Sequence, residues 1–370
     1  MHARRTTNRR EFLQGRSAAD ALAAAVDRAL PQAQVPSATA DDPPRGDDPA
    51  ERYLVQLSRP AMACQFTVFL NAGQYEQGTE AAIAALDLVE QLEDQLTAYR
   101  DTSEVTHINR RAAEENVPLE PRLFELLELA LRISRDTDGA FDITTGPLTK
   151  VWGFYRRAGT IPTNDDLRAA HEKVGAEHVL LNEADRTIRF ARPGMELNLG
   201  AIGKGYALDR AAEAMTTAGV DDFLLHGGQS SVIARGSRGG AAPAGWIVGL
   251  SDPLRPERRL AEITLRDRAL ATSGASHQFF RHAGKRYGHI LDPRTGWPAE
   301  GVFSATVIAP TAAAADALST AFYTLGVDEA RAYCDRHPDI GMVLLHPGKG
   351  GSSVEVATAG LTEEQFRRLA

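Results

Sequence analysis

An α+β fold is what this chain of 370 residues predicts, and three observations carry the prediction. Short strand-like runs dominate the second half, among them WIVGL, AEITL, GHILD, SATVIAP and GMVLL. Helical patterns with apolar spacings of three and four stand elsewhere without alternating regularly with these strands, which argues against a doubly wound parallel sheet. With 43% hydrophobic residues the chain is ample for a large core and an enclosed site.

Residues 1–52 predict no packed domain. The stretch TNRREFLQG resembles a twin-arginine export signal, with Arg9, Arg10, Phe12 and Leu13 in the expected places. A cleavable signal needs an apolar stretch of roughly 7 to 15 residues, whereas the following RSAADALAAAVDRAL carries Arg16, Asp20, Asp27 and Arg28. It reads as an amphipathic segment or a degenerate signal, and location stays open between the cytoplasm and export to the periplasm. PQAQVPSATADDPPRGDDPA, rich in Pro, Asp and Ala, predicts a disordered linker.

The folded domain is expected over residues 53–370. A strand is predicted from Met62 to Leu70, then a helix in which Ile83, Leu86, Val89, Leu92 and Leu96 share one buried face. TAYRDTSEVTHIN, at its exit, predicts a functional loop. A second helix runs from about Pro121 to Asp136, with Pro in its first turn and leucines on one side, into the loop TDGAFDITTG. Residues 196–219 read as a short strand, a Gly-rich turn and a helix, and FLLHGG as a strand. SATVIAP leads into the helix DALSTAFYTLG.

Charge and composition exclude some classes. A formal charge of −8 argues against a general nucleic-acid binder, which needs a basic surface to displace counterions. No run of 18 or more apolar residues predicts a membrane span, so no stable membrane insertion is expected. The two cysteines, Cys64 and Cys334, lack CxxC spacing and predict neither a disulfide framework nor a zinc cluster.

Four stretches carry side chains suited to chemistry, and in a fifth, HGGQSS, the Gly pair after a strand either lets a ligand pass close to the backbone or makes a bulge or tight turn. In NLGAIGKGYALDRAAE, Gly200, Gly203 and Gly205 permit close backbone approach, Lys204 adds positive charge, and the following helix offers N-terminal amides to a phosphate. A plain glycine turn explains the same stretch. In ADALST, Asp316 and Thr320 stand four apart on a helix and share a face. A carboxylate with a hydroxyl suits Mg²⁺, which completes its shell with phosphate oxygens; alternatively Asp316 is a first-turn residue favoured by the helix dipole.

GAFDITTGPL sets Asp142 beside Phe141, either for a heterocycle or to satisfy turn amides. In YGHILDPRTG the DPRTG half is turn chemistry, whereas His289 stands in a strand-like segment that could hold a general base or pack in the core.

Taken together, AMACQF, LTAYRDTSEVTHIN, TDGAFDITTGPLTKVWGF, LNLGAIGKGYALD, HGGQSSVIARG, ATSGASHQFF, KRYGHILDPRTGWP and SATVIAPTAAAADALSTAFYTLG resemble, in order, the ApbE family of FAD:protein FMN transferases. The resemblance spans about residues 53–370. It implies a T-fold-like α+β architecture with the site between two lobes. It also implies Mg²⁺-dependent transfer of FMN from FAD to a Thr or Ser hydroxyl of an acceptor protein, often a redox-complex subunit, with release of AMP.

By resemblance, FAD is expected at Met62, Tyr99, Ala140, Phe141, Asp142, Asn198, Lys204 and Ile290. The metal is expected at the Ala201 carbonyl, Asp316 and Thr320, and His289 is the candidate base. Phe141 and Tyr99 are expected to offer aromatic surface to the rings. Asn198 stands where many members have Asp, Ala63 and Cys64 replace Gly-Thr, and Gln229 replaces a common Asp or Asn. FAD hydrolysis to FMN and AMP, and a flavin-binding protein without catalysis, are the competing readings.

Overall fold

The structure, a computed structural model, describes residues 53–156, 159–239, 245–274, 278–348 and 353–369. The twin-arginine stretch and the Pro/Asp-rich linker lie outside these residues.

In chain order the first elements are β1 (Leu54–Ala61), β2 (Cys64–Asn71), α1 (Gly78–Leu96), α2 (Glu104–Arg111), β3 (Val117–Pro118), α3 (Pro121–Asp136), α4 (Gly146–Val151) and α5 (Asn164–His171). Then come β4 (Val179–Asn182), β5 (Thr187–Phe190), α6 (Gly203–Thr217), β6 (Phe223–Gly227), β7 (Ser231–Arg235), β8 (Trp246–Asp252), β9 (Arg255–Leu265) and β10 (Arg268–Gly274). The chain continues through β11 (Phe279–His282), β12 (Lys285–Gly288), β13 (Ser304–Ala309), α7 (Ala312–Leu325), α8 (Val327–Arg336), β14 (Gly341–Pro347), β15 (Val354–Ala359) and β16 (Phe366–Arg368). The mixture is α+β, as predicted.

An eight-stranded sheet in the order β1-β2-β6-β7-β10-β13-β14-β15 organises the molecule, every neighbouring pair antiparallel. The two-residue period of a strand decides what each face receives. Phe66, Val68 and Leu70 of β2, Ala269 and Ala271 of β10, Val307 of β13 and Met342 of β14 join the main core with the helices. The intervening Phe69, Leu270, Ile308 and Val343 pack in a second core against Trp246, Ile263 and Leu265 of the small sheet β16-β9-β8. Three layers result, because most central strands are apolar on both faces.

The helix side is built for close approach. α7 buries Ala312, Ala313, Ala315, Ala317 and Ala321, and meets the small side chains of β10 and β13. A Cβ on Gly205 of α6 would collide with the Ala312 carbonyl, so that contact admits only glycine. α3 spans the predicted Pro121–Asp136, with the Glu120 carboxylate accepting from the Arg122 and Leu123 amides.

Five predicted elements differ. The second half of the TAYRDTSEVTHIN loop is helix α2 from Glu104, capped by the Ser103 side chain, and the short strand expected at the start of residues 196–219 is only an isolated bridge between Thr145 and Glu196. The strand expected from Met62 begins at Cys64, because Met62 and Ala63 form a two-residue hairpin turn with φ of 50° and 58°. Ile83 leaves the predicted buried face and is 42% exposed; Ala82, Ala85, Leu86 and Val89 cover the sheet instead. GHILD is not a strand: β12 ends at Gly288, and only an isolated bridge joins Leu291 to Pro298.

Candidate active site

The N-terminus of α6 and the second turn of α7 meet in a cluster of polar groups. Asp316, 4% exposed, receives the Gly205 amide on Oδ2 at 3.1 Å and the Ser231 hydroxyl on Oδ1 at 3.2 Å. Lys204 Nζ stands 3.5 Å from the same Oδ1. One turn further, the Thr320 hydroxyl is 3.0 Å from Ser273 Oγ of β10, which is also 2.8 Å from Ser319 Oγ. The i to i+4 pairing thus holds. Asp316 is not a first-turn residue favoured by the dipole; it faces α6 from within the helix.

A second contact fixes these helices against each other. Asp209, two turns into α6, accepts the Ala312 amide at 2.7 Å and the Ala313 amide at 2.8 Å from the N-terminus of α7. Burial raises its pKa to about 6, against the lowering effect of those two amides. Each helix therefore donates backbone amides to a carboxylate on the other.

The turn before β2 borders the cluster. Its two non-glycine residues at positive φ are a strained choice for a tight hairpin, which favours Asn-Gly. The Met62 amide is held by Glu93 Oε2 at 2.8 Å. Burial raises the Cys64 thiol to about 11, while Lys204 pulls it down and Asp316 and Glu93 push it up. Cys64 is only partly buried, unlike Cys334.

Upstream of α6, Asn198 leads into the glycine turn. Its Oδ1 accepts the Gly200 amide at 3.0 Å, and its backbone amide donates to Ile143 at 2.6 Å. Asn109, from the THIN stretch of α2, makes a reciprocal pair with Leu197: Nδ2 to the carbonyl at 3.0 Å and the amide to Oδ1 at 2.7 Å. Asn198 and Tyr99 line one cleft of about 310 Å³ with Lys150, Tyr155 and Glu196. Tyr99, 62% exposed, stacks on Tyr155 with ring centroids 4.5 Å apart.

Ala140, Phe141 and Asp142 are placed differently from their expected role. The Phe141 ring is 1% exposed and lies in the main core, so it offers no stacking surface to a ligand. Asp142 Oδ1 accepts the Thr144 amide and hydroxyl, both at 2.6 Å, and Oδ2 accepts the Ala176 amide at 2.8 Å. Its pKa is raised by burial, with those bonds opposing. Asp142 braces the loop, as turn aspartates do.

His289 sits one residue past β12 rather than inside a strand. The Gln278 carbonyl receives its backbone amide at 3.2 Å and lies 3.0 Å from Nδ1. A carbonyl only accepts, so Nδ1 carries the proton and the neutral ring has its lone pair on Nε2. Ile290 is buried in the main core, with its carbonyl taken by the Ala299 amide at 2.9 Å. DPRTG is a turn: Asp292 accepts the Arg294 amide at 2.9 Å, and Trp152 Nε1 donates to Gly296 at 2.8 Å.

Six of the predicted residues gather in two places. Lys204, Asp316 and Thr320 form the helix-end cluster, with Ala201 in the turn three residues before Lys204; Asn198 and Tyr99 share the cleft upstream. Ser273, which touches Thr320, is five residues before Gln278, which holds His289, so at most about 18 Å of chain separates the two anchors. Ser231, Ser273, Asp209, Asn109 and Tyr155 were not singled out by sequence. The first four stand inside the HGGQSS, ATSG, GKGYALD and THIN stretches.

The donors fit a hard cation. One carboxylate with hydroxyl and carbonyl oxygens is the set that Mg²⁺ takes while keeping positions for phosphate oxygens. Among the described residues no group of three or more His, Cys, Asp and Glu side chains could hold a metal, so a zinc-type site finds no candidate there.

Residues 62–344 match the model of the ApbE family. The FAD:protein FMN transferase of Klebsiella pneumoniae is 31% identical over 274 residues, covering 73% of this chain and 84% of that protein. The one from Treponema pallidum is 34% identical, covering 71% and 76%. Among solved structures, the ApbE protein of Thermotoga maritima superposes with a TM-score of 0.73 at 28% identity, covering 82% of this chain and 97% of that one. The flavin transferase ApbE of Vibrio cholerae gives 0.72 at 26% identity, covering 83% and 97%. The sequence match and the shared fold agree: this chain belongs to the ApbE family.

Proposed function

We propose that the chain transfers FMN from FAD to a Ser or Thr hydroxyl of an acceptor protein, releasing AMP. The relatives named FAD:protein FMN transferase support the reaction. The observation that carries it in this molecule is the buried Asp316 with Lys204 at the N-terminus of α6. Lys204 and the positive end of the α6 dipole supply there the positive potential that a diphosphate requires, although the Gly205 amide is taken by Asp316.

The acceptor oxygen attacks the phosphorus on the flavin side of the diphosphate. The bond from that phosphorus to the bridging oxygen breaks, and AMP leaves with the bridging oxygen. His289 Nε2 takes the hydroxyl proton, and its double anchor on Gln278 keeps the ring oriented. Lys204 neutralises charge on the leaving phosphate. Asp316, Thr320 and the Ala201 carbonyl would hold Mg²⁺, which when bound adds Lewis-acid charge to the diphosphate oxygens. Tyr99 and Asn198 would contact the nucleotide in the cleft that they line, and Met62 and Ile290, which lie outside that lining, would meet it elsewhere along its length. The Ala140–Asp142 stretch would contribute through its backbone, since Phe141 and the Asp142 carboxylate are committed elsewhere.

The test is incubation with FAD and Mg²⁺, with and without proteins of the source cell, reading AMP together with flavin that survives SDS denaturation on a protein. AMP released in step with covalent flavin, and stopped by EDTA, is the expected result. AMP and free FMN released equally fast without acceptor would make the protein a hydrolase instead. FAD binding without AMP under any divalent metal would make it a carrier.

A further inference from the structure

Strand alternation sets one face of β10 against the helices. Ala269 and Ala271 lie on that face in the main core, and Leu270 between them packs in the second. Ser273 continues the row, and its register partner in β13 is the fully buried Ala305. Alanine would complete the stripe on which α7 packs. The row changes to a hydroxyl only where it meets Ser319 and Thr320. Thr272 cannot stand in, because it belongs to the other face, with its hydroxyl 2.8 Å from that of Thr306.

Counting protons gives these hydroxyls a direction. The Asp316 carbonyl only accepts, so Ser319, 2.9 Å from it, donates there. Ser319 is fully buried, and no water relieves the count. Ser273, 2.8 Å from Ser319 Oγ, must then be the donor of that pair. With its one proton committed, Ser273 can only accept from Thr320, at 3.0 Å. The reverse order would have Thr320 donate to the Asp316 carbonyl at 3.5 Å, a long bond in place of the one at 2.9 Å. The first order therefore holds, and among the described residues both lone pairs of Thr320 Oγ1 stay unclaimed.

A cation ligand needs that state. A neutral alcohol binds a cation through a lone pair and has to send its proton to an acceptor elsewhere. For a helical Thr the usual acceptor is the carbonyl four residues back. Here that carbonyl, of Asp316, is too distant to hold the hydroxyl well, and Ser273 holds it instead. Asp316 has orienting partners of its own in the Gly205 amide and the Ser231 hydroxyl.

We propose that Ser273 is a positioning residue for the metal: it accepts the Thr320 proton and so keeps the lone pairs of Thr320 for the cation. The inference rests on the metal-dependent part of the flavin-transfer reading and goes beyond it, since Ser273 itself touches neither metal nor nucleotide in this role. Partners that orient a metal ligand are worth about 10- to 100-fold in affinity, and a neutral hydroxyl acting on a single ligand belongs at the lower end.

The experiment titrates Mn²⁺, which takes the oxygen ligands that Mg²⁺ takes, into the full chain without nucleotide and reads free Mn²⁺ by electron paramagnetic resonance. S273A should weaken binding about tenfold, and S273T, which keeps the hydroxyl, should stay within about threefold of wild type. T320A should weaken it at least as much as S273A. In the T320A background S273A should add less than about twofold, because no hydroxyl is left to orient. The Mg²⁺ concentration for half-maximal AMP release should rise in S273A by the factor seen for Mn²⁺.

Unchanged Mn²⁺ affinity in S273A overturns the proposal, and so does a loss that S273T shares. A loss that persists in full in the T320A background also overturns it, since Ser273 would then ligate the metal itself or hold the fold. Wild type without saturable Mn²⁺ binding, or with binding that T320A leaves unchanged, removes Thr320 from the metal and the proposal with it. If the Mn²⁺ losses follow the expected pattern while wild type releases no AMP from FAD, the positioning role stands and the transferase reading falls.

Discussion

Asp209→Asn tests how α6 and α7 are held together. In the folded protein Asp209 has a pKa near 6, raised mainly by burial; in the unfolded chain it titrates near 3.8. The native state therefore binds the proton more tightly. The stabilisation this gives is fully present below the unfolded pKa and is lost as pH rises through about 6. A shift of about two units corresponds to about 3 kcal/mol over the whole range, of which about 2 kcal/mol develops between pH 4.5 and 8. These are upper figures, because the side chain is only partly buried.

Asparagine keeps one acceptor for the α7 amides but never ionises. Wild type should therefore exceed the variant in stability most at pH 4.5, by a margin that shrinks toward pH 8. For a domain of about 320 residues, 2 kcal/mol is about 3 °C in Tm. Thermal unfolding followed by circular dichroism at half-unit pH steps reads the difference directly. Parallel Tm profiles for the two proteins would refute the reasoning, since they would mean that Asp209 is no less ionised when folded than when unfolded.

Asp316→Asn should reduce metal-dependent AMP release by at least about 100-fold while far-ultraviolet circular dichroism stays native; wild-type turnover would remove Asp316 from the site. His289→Ala should lower kcat strongly and leave the Kd for FAD nearly unchanged by fluorescence titration, a loss of binding alone making it a structural contact. Gly205→Ala should cost about 2 kcal/mol or more in urea unfolding, because its Cβ meets the Ala312 backbone, which cannot turn away. Burial lifts Cys64 to about 11 and Cys334 to about 12, so both should react slowly with a disulfide reagent at pH 8 and rapidly once unfolded.

Much of the architecture was legible because local rules and tertiary context agree. The Pro at the start and the leucines of α3 place that helix at its observed ends, and the nearly continuous apolar runs of SATVIAP and GMVLL report strands buried on both faces. The i to i+4 spacing of Asp316 and Thr320 likewise needed only helix geometry. Where sequence misled, packing or neighbours decided. Ile83 fits the helical stripe, yet the alanines beside it come closer to the sheet. Phe141 reads as a stacking ring, but a buried position in the core is what its apolar neighbours Ile143 and Leu197 share. Asp209, Ser231 and Ser273 matter only through residues far along the chain, and such pairings leave no local pattern. The His289 anchor on Gln278 is equally invisible, being made across a hairpin.

The left-handed turn at Met62 and Ala63 has a bearing on how this protein can change. A tight hairpin could be made more cheaply from Asn and Gly, so the two side chains there represent folding energy withheld from stability. Glu93 clamps the turn from α1, and Cys64 beyond it feels the charges of Lys204 and Asp316. Relaxing the turn would be the easiest way to harden the sheet at its β1–β2 end, and it would shift Cys64 within the electrostatic reach of Lys204 and Asp316. The stability of this hairpin and the setting of the proposed metal cluster therefore meet in two backbone dihedrals.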